Sequence, residues 1–304
     1  MDNLTHSLIG AVLGQAGLKR KTGLAMPTLI IAANLPDVDA TCTVFGTLSL
    51  AMRRGITHGP IAMVLLPLVL TGAMIAWDKR QTRRGTRPVD RPPVRAGWLV
   101  ALAYIGCLSH PLFDWMNSYG VRLLEPFSHR WFYGDGLFII DPWLLAMLIA
   151  GVWFSRKREK AEVLNGNDPA TYAITGIVAY LALNIGTSLW LAREARMSEP
   201  YAEVAVANPV PLAFWRREVL WRSGGQYGSY TATLWSRGPA ARSLPIGMND
   251  SEIAPRVGKS KDARAFLFWS RMPIAKRDGD AIVLGDQRFD GAITASNFTV
   301  RLEP

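Results

Sequence analysis

Cys42 and Cys107 are the only cysteines in 304 residues, too few and too isolated for a disulfide framework or a thiolate metal site, so both read as packing residues. Histidine is scarce as well, with His6, His58, His110 and His129 making up the whole complement. Charged residues are only 19% of the chain and hydrophobic ones 49%, which excludes a disordered protein and fits an ordinary polar domain poorly. Acidic residues are outnumbered, 24 against 34 Lys and Arg, giving a formal net charge of +10. A nucleic-acid surface needs such cations on one folded face. Here they fall in short bursts between long apolar runs, so no nucleic-acid partner is expected and the bursts read as loops of a membrane protein. No short repeat stands out, and no cleavable signal-peptide pattern precedes the first apolar segment, which is expected to stay in place.

The apolar runs set the architecture. Ile61–Trp77, Gly97–Leu108 and Tyr172–Ala192 are charge-free and close to the length that crosses a hydrocarbon core of about 30 Å. Leu137–Phe154 contains one charge, Asp141, and the following Pro142 suits a helix start with Asp141 as its N-cap, leaving a short span. Two further short segments, Leu4–Leu18 with Gly10, Gly14 and Gly17, and Leu24–Asn34, either cross obliquely, re-enter, or pack inside the bundle.

Loops rich in Lys and Arg stay on the cytoplasmic face. Lys19-Arg20-Lys21, the Lys79–Arg95 stretch and Arg156–Lys160 all qualify, and placing them together makes the helices alternate. The opposite helix ends then face the periplasm or exterior. The Arg/Pro-rich tract ending in Arg91-Pro92-Pro93 reads as a solvated linker. Beyond Ala192 charges return, and strand-like alternation marks Gln226–Trp235, Ala265–Trp269, Ala281–Leu284 and Asn297–Leu302. The fold class is therefore a mainly α, polytopic membrane bundle over residues 1–192 with a small β-rich extracytoplasmic domain over 193–304.

Polar groups able to bind a metal gather at the helix ends away from the basic loops. His6 lies in Asn3-Leu4-Thr5-His6-Ser7, His58 in Thr57-His58-Gly59-Pro60, and His110 in Ser109-His110-Pro111. Between them stands Asn34-Leu35-Pro36-Asp37-Val38-Asp39, where Pro36 disfavours helix at Leu35 and puts both carboxylates in a loop. His110 and Asp114 are spaced i, i+4, so they share a helical face even if Pro111 restarts the helix. Imidazoles with carboxylates suit zinc or a similar divalent ion, and such ions polarise phosphoryl groups and generate hydroxide. Each residue alone also has a plainer reading, as a cap or a hydrogen-bonded polar group, and ionisable residues beside membrane helices weigh against that plainer reading. His129 stands between a supporting role and an interface anchor. Arg53 and Arg54 either bind a phosphate or anchor the membrane surface, and Asn117 orients a ligand or substrate or is simply an interface polar residue.

The motifs THSLIG, NLPDVD, RRGITHGP, HPLFDWMNSYG and GDGLFIIDPW, in that order over residues 1–190, resemble the LexA-regulated, bacterial inner-membrane metal-dependent hydrolase family typified by YdjM. The order His, Asp, His, His-x-x-x-Asp is in turn similar to the zinc-dependent phospholipase C and single-strand nuclease superfamily. The resemblance implies metal positions at His6, Asp37 or Asp39, His58, His110 and Asp114, and hydrolysis of a phosphoester. It departs where those relatives use an N-terminal Trp and a further His-x-x-x-acid pair, since this chain starts with Met1 and has Tyr133 four residues after His129. One or two divalent ions, zinc for preference, are expected. Asp37 is the preferred bridging carboxylate, and Asp39 orients a ligand or acts as a base.

The expected function is an inner-membrane, multi-pass metal-dependent hydrolase of lipid or lipid-linked phosphoesters, with its metal site and C-terminal domain outside and the bilayer as its partner. The alternative is a membrane scaffold or transport-related protein that holds the same ion without catalysis.

Overall fold

Asp2 opens the first helix, α1 (Asn3–Gln15), by accepting hydrogen bonds from the Thr5 backbone N–H (3.0 Å) and hydroxyl (2.6 Å). The chain then forms α2 (Ala25–Asn34), a 3-10 run (Leu35–Leu48), α3 (Ser49–Met52), α4 (Pro60–Arg83), α5 (Ala96–Trp115), α6 (Pro142–Lys160) and α7 (Asp168–Ser198). In this computed structural model the described residues are 1–162, 168–198, 202–239, 243–290 and 298–304. They divide into two units: Met1–Val38 with Arg54–Leu183, and Asp39–Arg53 with Asn184–Pro304.

The first unit is a helical bundle. Four helical stretches among the described residues, Ala25–Met52, Pro60–Arg83, Ala96–Trp115 and Asp168–Ser198, are long and apolar enough to cross a membrane. On α4 the apolar Val64, Leu65, Leu68 and Val69 face outward, as lipid-facing side chains do. α6 carries five charges at its C-terminal end, Arg156–Lys160, and its apolar part is short, as expected. Its N-cap is Asp141, whose carboxylate accepts from the N–H groups of Trp143 (3.1 Å) and Leu144 (2.9 Å).

Close packing in this unit depends on two glycines. A side chain at Gly10 of α1 would meet the Leu29 carbonyl at 2.7 Å, and one at Gly106 of α5 would meet the same carbonyl at 2.9 Å and Ala32 at 2.7 Å. α2 is thus gripped at Leu29 from both sides, the small-residue contact that membrane helices favour. Basic residues cluster at one end of these helices. There Lys19 pairs with Glu159, and the Arg95 N–H donates to the Thr22 hydroxyl (2.7 Å).

Several expectations need correction. Leu35–Leu48 is 3-10 helical, with a kink at Gly46 (φ 59°), and not an open loop, so Pro36 changes the helix type without ending the helical path. α5 continues through Pro111 without a restart. The Arg/Pro tract is largely exposed, as a solvated linker is, and is also tethered, because Arg91 and Arg87 both pair with Asp78 of α4 (2.6 and 3.3 Å). Cys107 is buried packing beside Met63, as expected, whereas Cys42 is only half-buried.

The second unit holds the sheets. β1 (Val204–Pro209), β2 (Arg217–Ser223), β3 (Gln226–Ala232) and β4 (Leu244–Pro245) form an antiparallel four-stranded sheet in sequential order. β5 (Pro273–Asp278), β6 (Ala281–Asp286) and β7 (Thr299–Leu302) form a second, three-stranded one. Between them lie α8 (Ile253–Lys259) and α9 (Lys261–Trp269), and α3 packs on α9. Ala265–Trp269 was expected to be a strand. It belongs to α9 because Ser260 caps the helix and Ala263, Phe266 and Trp269 recur every third residue on its buried side. The last expected strand survives as β7, with Asn297 outside the described residues. Leu191 and Ala195 of α7 pack with Ala205, Val219 and Tyr230 in this unit's core.

Candidate metal centre

The grip of Gly10 and Gly106 on α2 decides what meets one helical turn away. His6 precedes Gly10 by four residues and His110 follows Gly106 by four, so their rings stack with centroids 3.7 Å apart. Ala33, one turn after Leu29, presents its carbonyl to His110 Nδ1 (2.7 Å). That bond puts the proton on Nδ1 and leaves the Nε2 lone pair available as a ligand. His58, at the end of a short turn before α4, has its Nδ1 against the Thr57 hydroxyl (2.9 Å), so its Nε2 also points inward.

One ligand atom from each of Asp37, His58, His110 and Asp114 lies within 4.8 Å of the others, and all four side chains are buried. Ligands at about 2.1 Å from a tetrahedral ion are separated from one another by about 3.4 Å. Here His110 Nε2 lies 3.1 Å from His58 Nε2 and 3.5 Å from Asp37 Oδ1, and Asp114 Oδ2 lies 3.4 Å from His58 Nε2 and 3.6 Å from His110 Nε2. Two imidazole nitrogens at 3.1 Å, surrounded by carboxylate oxygens at coordination-edge distances, make a donor set shaped for a cation.

The polar atoms that lack hydrogen bonds point the same way. Both oxygens of Asp37 and both nitrogens of His6 are buried and make no hydrogen bond among the described residues, a costly arrangement unless something else satisfies them. His6 lies beside the four-residue group, its Nε2 3.4 Å from Asp114 Oδ1. The residues therefore fit a divalent ion.

Arg54 holds Asp114 in place. Its Nε sits 3.0 Å from Asp114 Oδ2, its Nη1 donates to Asn117 Oδ1 (3.2 Å) and the Gly120 carbonyl (3.4 Å), and its guanidinium stacks on Tyr119. Its backbone is in the left-handed region (φ 53°), where its carbonyl accepts from the Arg122 N–H (2.9 Å). Asn117 also accepts from the Tyr119 N–H (2.9 Å), so it braces the turn after α5 and Arg54 together. The Met1 amino group reaches Asp114 Oδ1 as well. Asp39 and Arg53 belong to the second unit and are not in the four-residue group. His129 is exposed and bonds Glu125 through Nδ1 (2.8 Å).

Sequence reasoning missed the wall on the far side of His58. A side chain at Gly59 would meet the Glu125 carbonyl at 2.0 Å, and one at Gly55 would meet the Arg122 guanidinium at 2.5 Å. Glycines on both sides of a candidate ligand were the available signal that another backbone passes close by.

Fold and site together define a polytopic membrane protein with a buried histidine–aspartate group able to hold a metal. A family model described as YdjM inner membrane protein matches residues 1–192, and the chain belongs to that family. No curated protein and no solved structure matches it.

Proposed function

We propose that this chain is an integral-membrane hydrolase of phosphoesters, acting on lipid or lipid-linked substrates, that works through a divalent ion, zinc for preference, held by Asp37, His58, His110 and Asp114. The observation that carries the reading is the set of four buried donors at coordination-edge distances, with the Asp37 oxygens lacking any hydrogen bond. A divalent ion in such a site supplies a Lewis acid for a phosphoryl oxygen and lowers the pKa of water.

The chain's own residues do the rest. His110 is held in its ligating tautomer by the Ala33 carbonyl, and His58 is backed by Thr57. Arg54 fixes Asp114, and His6 adds a further imidazole beside it. By the basic-loop argument, the centre faces the periplasm, opposite Lys19–Lys21 and Arg156–Lys160. This position at the bilayer edge is what favours a lipid phosphoester.

The test is metal analysis of the purified protein, with hydrolysis of a phosphoester panel before chelation, after it, and after reloading. Stoichiometric metal with metal-restored turnover supports the hydrolase. Restored thermal stability without turnover of any phosphoester replaces it with a metal-holding scaffold.

A further inference from the structure

α7 carries no charge between Asp168 and Arg193, yet Asn184, Thr187 and Ser188 interrupt its apolar run, and all three are buried. Their partner is Arg217 at the start of β2, whose side chain is fully buried. Its Nε donates to the Ser188 hydroxyl (2.7 Å), and its Nη2 donates to the Asn184 carbonyl (3.1 Å) and side-chain oxygen (2.7 Å). Its Nη1 donates to the carbonyls of Phe214 (2.7 Å) and Arg216 (2.9 Å). All five guanidinium donors are satisfied, the condition under which arginine is tolerated away from water.

This clamp fixes the depth of the β1–β2 loop. At 1.5 Å per residue, Asn184 lies about 13 Å along the helix from Arg193, the first charge after the apolar run, and Ser188 about 8 Å. The loop tied to those residues reads Val210-Pro211-Leu212-Ala213-Phe214-Trp215. Leu212 and Trp215 are 65% and 48% exposed. Leu212 has φ 64° at the centre of a tight turn in which the Ala213 N–H donates to the Pro211 carbonyl (2.8 Å). Further along α7, Trp190 and Glu194 line a cavity of about 150 Å³ with Trp235, which is 84% exposed. Past it, Arg196 donates to the Ala205 carbonyl (3.2 Å) and Arg237 to the Ser198 hydroxyl (3.0 Å). Apart from Arg216, exposed where the loop enters β2 and long enough for its charge to reach toward the headgroups, the gradient runs from apolar tip to aromatic rim to arginines, the order found from acyl chains through the interface to water.

We propose that the β1–β2 loop is a membrane-inserted wedge: Leu212 and Trp215 sit among the upper acyl chains of the leaflet at the C-terminal end of α7, with Trp235 at headgroup level. The occupant of this apolar tip is lipid, because the loop is bonded to the part of a membrane-spanning helix that lies below its first charges. The inference is independent of the metal centre.

The test uses the full chain in nanodiscs of phosphatidylethanolamine and phosphatidylglycerol. In a Cys42→Ser, Cys107→Ala background, Leu212→Cys, Trp215→Cys and a reference Arg301→Cys, at an exposed position of β7, are labelled with an environment-sensitive fluorophore. The loop labels should be quenched by lipids carrying a nitroxide high on the acyl chain, and should be several-fold less accessible to aqueous iodide than the label at position 301. Equal iodide quenching at all three sites overturns the proposal. So does shielding from iodide without nitroxide quenching, which would mean protein covers the loop. Should the cysteine-free background not fold, a photoactivatable phosphatidylethanolamine crosslinked to the unaltered chain decides: adducts in the peptide spanning 210–216 support the wedge, and their absence where α4 is labelled overturns it.

Discussion

Asp37 in the helical unit and Asp286 in the second unit are both buried carboxylates beside basic side chains, and their oxygens are treated in opposite ways. Asp286 accepts from the Ser270 hydroxyl (2.6 Å), the Met272 N–H (3.1 Å), the Arg288 N–H (2.9 Å), and Arg288 Nε and Nη2 (2.8 and 2.9 Å). Burial pushes its carboxyl up, but the Arg288 charge and hydrogen bonds outweigh that and hold it well below the usual carboxylate range. Among the described residues Asp37 accepts no hydrogen bond on either oxygen, and it faces His110 Nε2 at 3.5 Å. A closed ion pair is complete as it stands, and its contribution is to structure. Donors left without hydrogen bonds at coordination distances are the mark of a site made to receive a cation.

The largest effect expected from this contrast is on metal content and turnover. His58→Ala or His110→Ala should abolish stoichiometric metal and cut phosphoester hydrolysis by ~10³-fold or more, the scale of several kcal/mol a metal supplies. Metal analysis and initial rates check it. A variant retaining full metal would show that the donors do not act together. Arg288→Ala should leave metal content unchanged.

Removing one negative charge from each cluster should have unequal consequences. Asp286→Asn leaves Arg288 buried without its counter-charge and should destabilise the second unit by about 3–5 kcal/mol, read as protease sensitivity or a lowered melting temperature. Asp37→Asn forfeits no hydrogen bond among the described residues, and the attraction to His110 that it loses is offset in part by relief of repulsion from Asp114. The metal-free protein should therefore melt within about 1 kcal/mol of the original, while the stabilisation gained on adding metal shrinks. Equal destabilisation by both would erase the distinction. The acid limb follows from the same comparison. Because the folded-state value of Asp286 is depressed, its stabilisation is fully present above the unfolded carboxylate value of about 3.9 and is lost as pH falls through the lower folded value. Asp286→Asn should flatten that acid limb.

The helical unit was largely legible because hydrophobic runs, basic loops and the Asp141–Pro142 cap are local signals. His58, His110, Asp114 and Asp37 were also visible, since few other residues in so apolar a chain can bind metal. Three things were not legible. β1 and β2 went unseen because Val204–Pro209 and Arg217–Ser223 carry Asn208, Arg217 and Arg222 at buried or half-buried places, which breaks the alternation a strand normally shows. From sequence Arg54 either binds a phosphate or anchors the membrane surface, whereas in the structure its fork is spent on Asp114, Asn117 and Gly120. That role depends on the chain folding back after α5, which no local spacing encodes. Asn184 and Ser188 were the clue to Arg217, yet a charge-free run hides polar residues whose partner lies some thirty positions away.

Packing around His58 offers a finer test. Gly59→Ala places a methyl group 2.0 Å from the Glu125 carbonyl, so the backbone on one side must shift, at about 1–3 kcal/mol by analogy with overpacked cores. His58 adjoins that glycine, and metal affinity should fall with stability. The Asp286 cluster should be untouched, with the second unit's protease resistance unchanged.

The smallest effect separates charge from geometry at Arg54. Arg54→Gln removes the cation that orients Asp114 and should weaken metal binding by about 10–100-fold, the range for residues that hold a ligand from behind. Arg54→Lys keeps a positive charge near Asp114 but loses the planar fork that also reaches Asn117 and the Gly120 carbonyl, and loses the stack on Tyr119. Lysine should therefore recover only part of the affinity, measured by competition with a chelating dye. Full recovery would mean that the charge alone matters. No recovery would mean that Asp114 is set by the fork, as Asp286 is by Arg288, and the open and closed clusters would then share one device for holding a carboxylate.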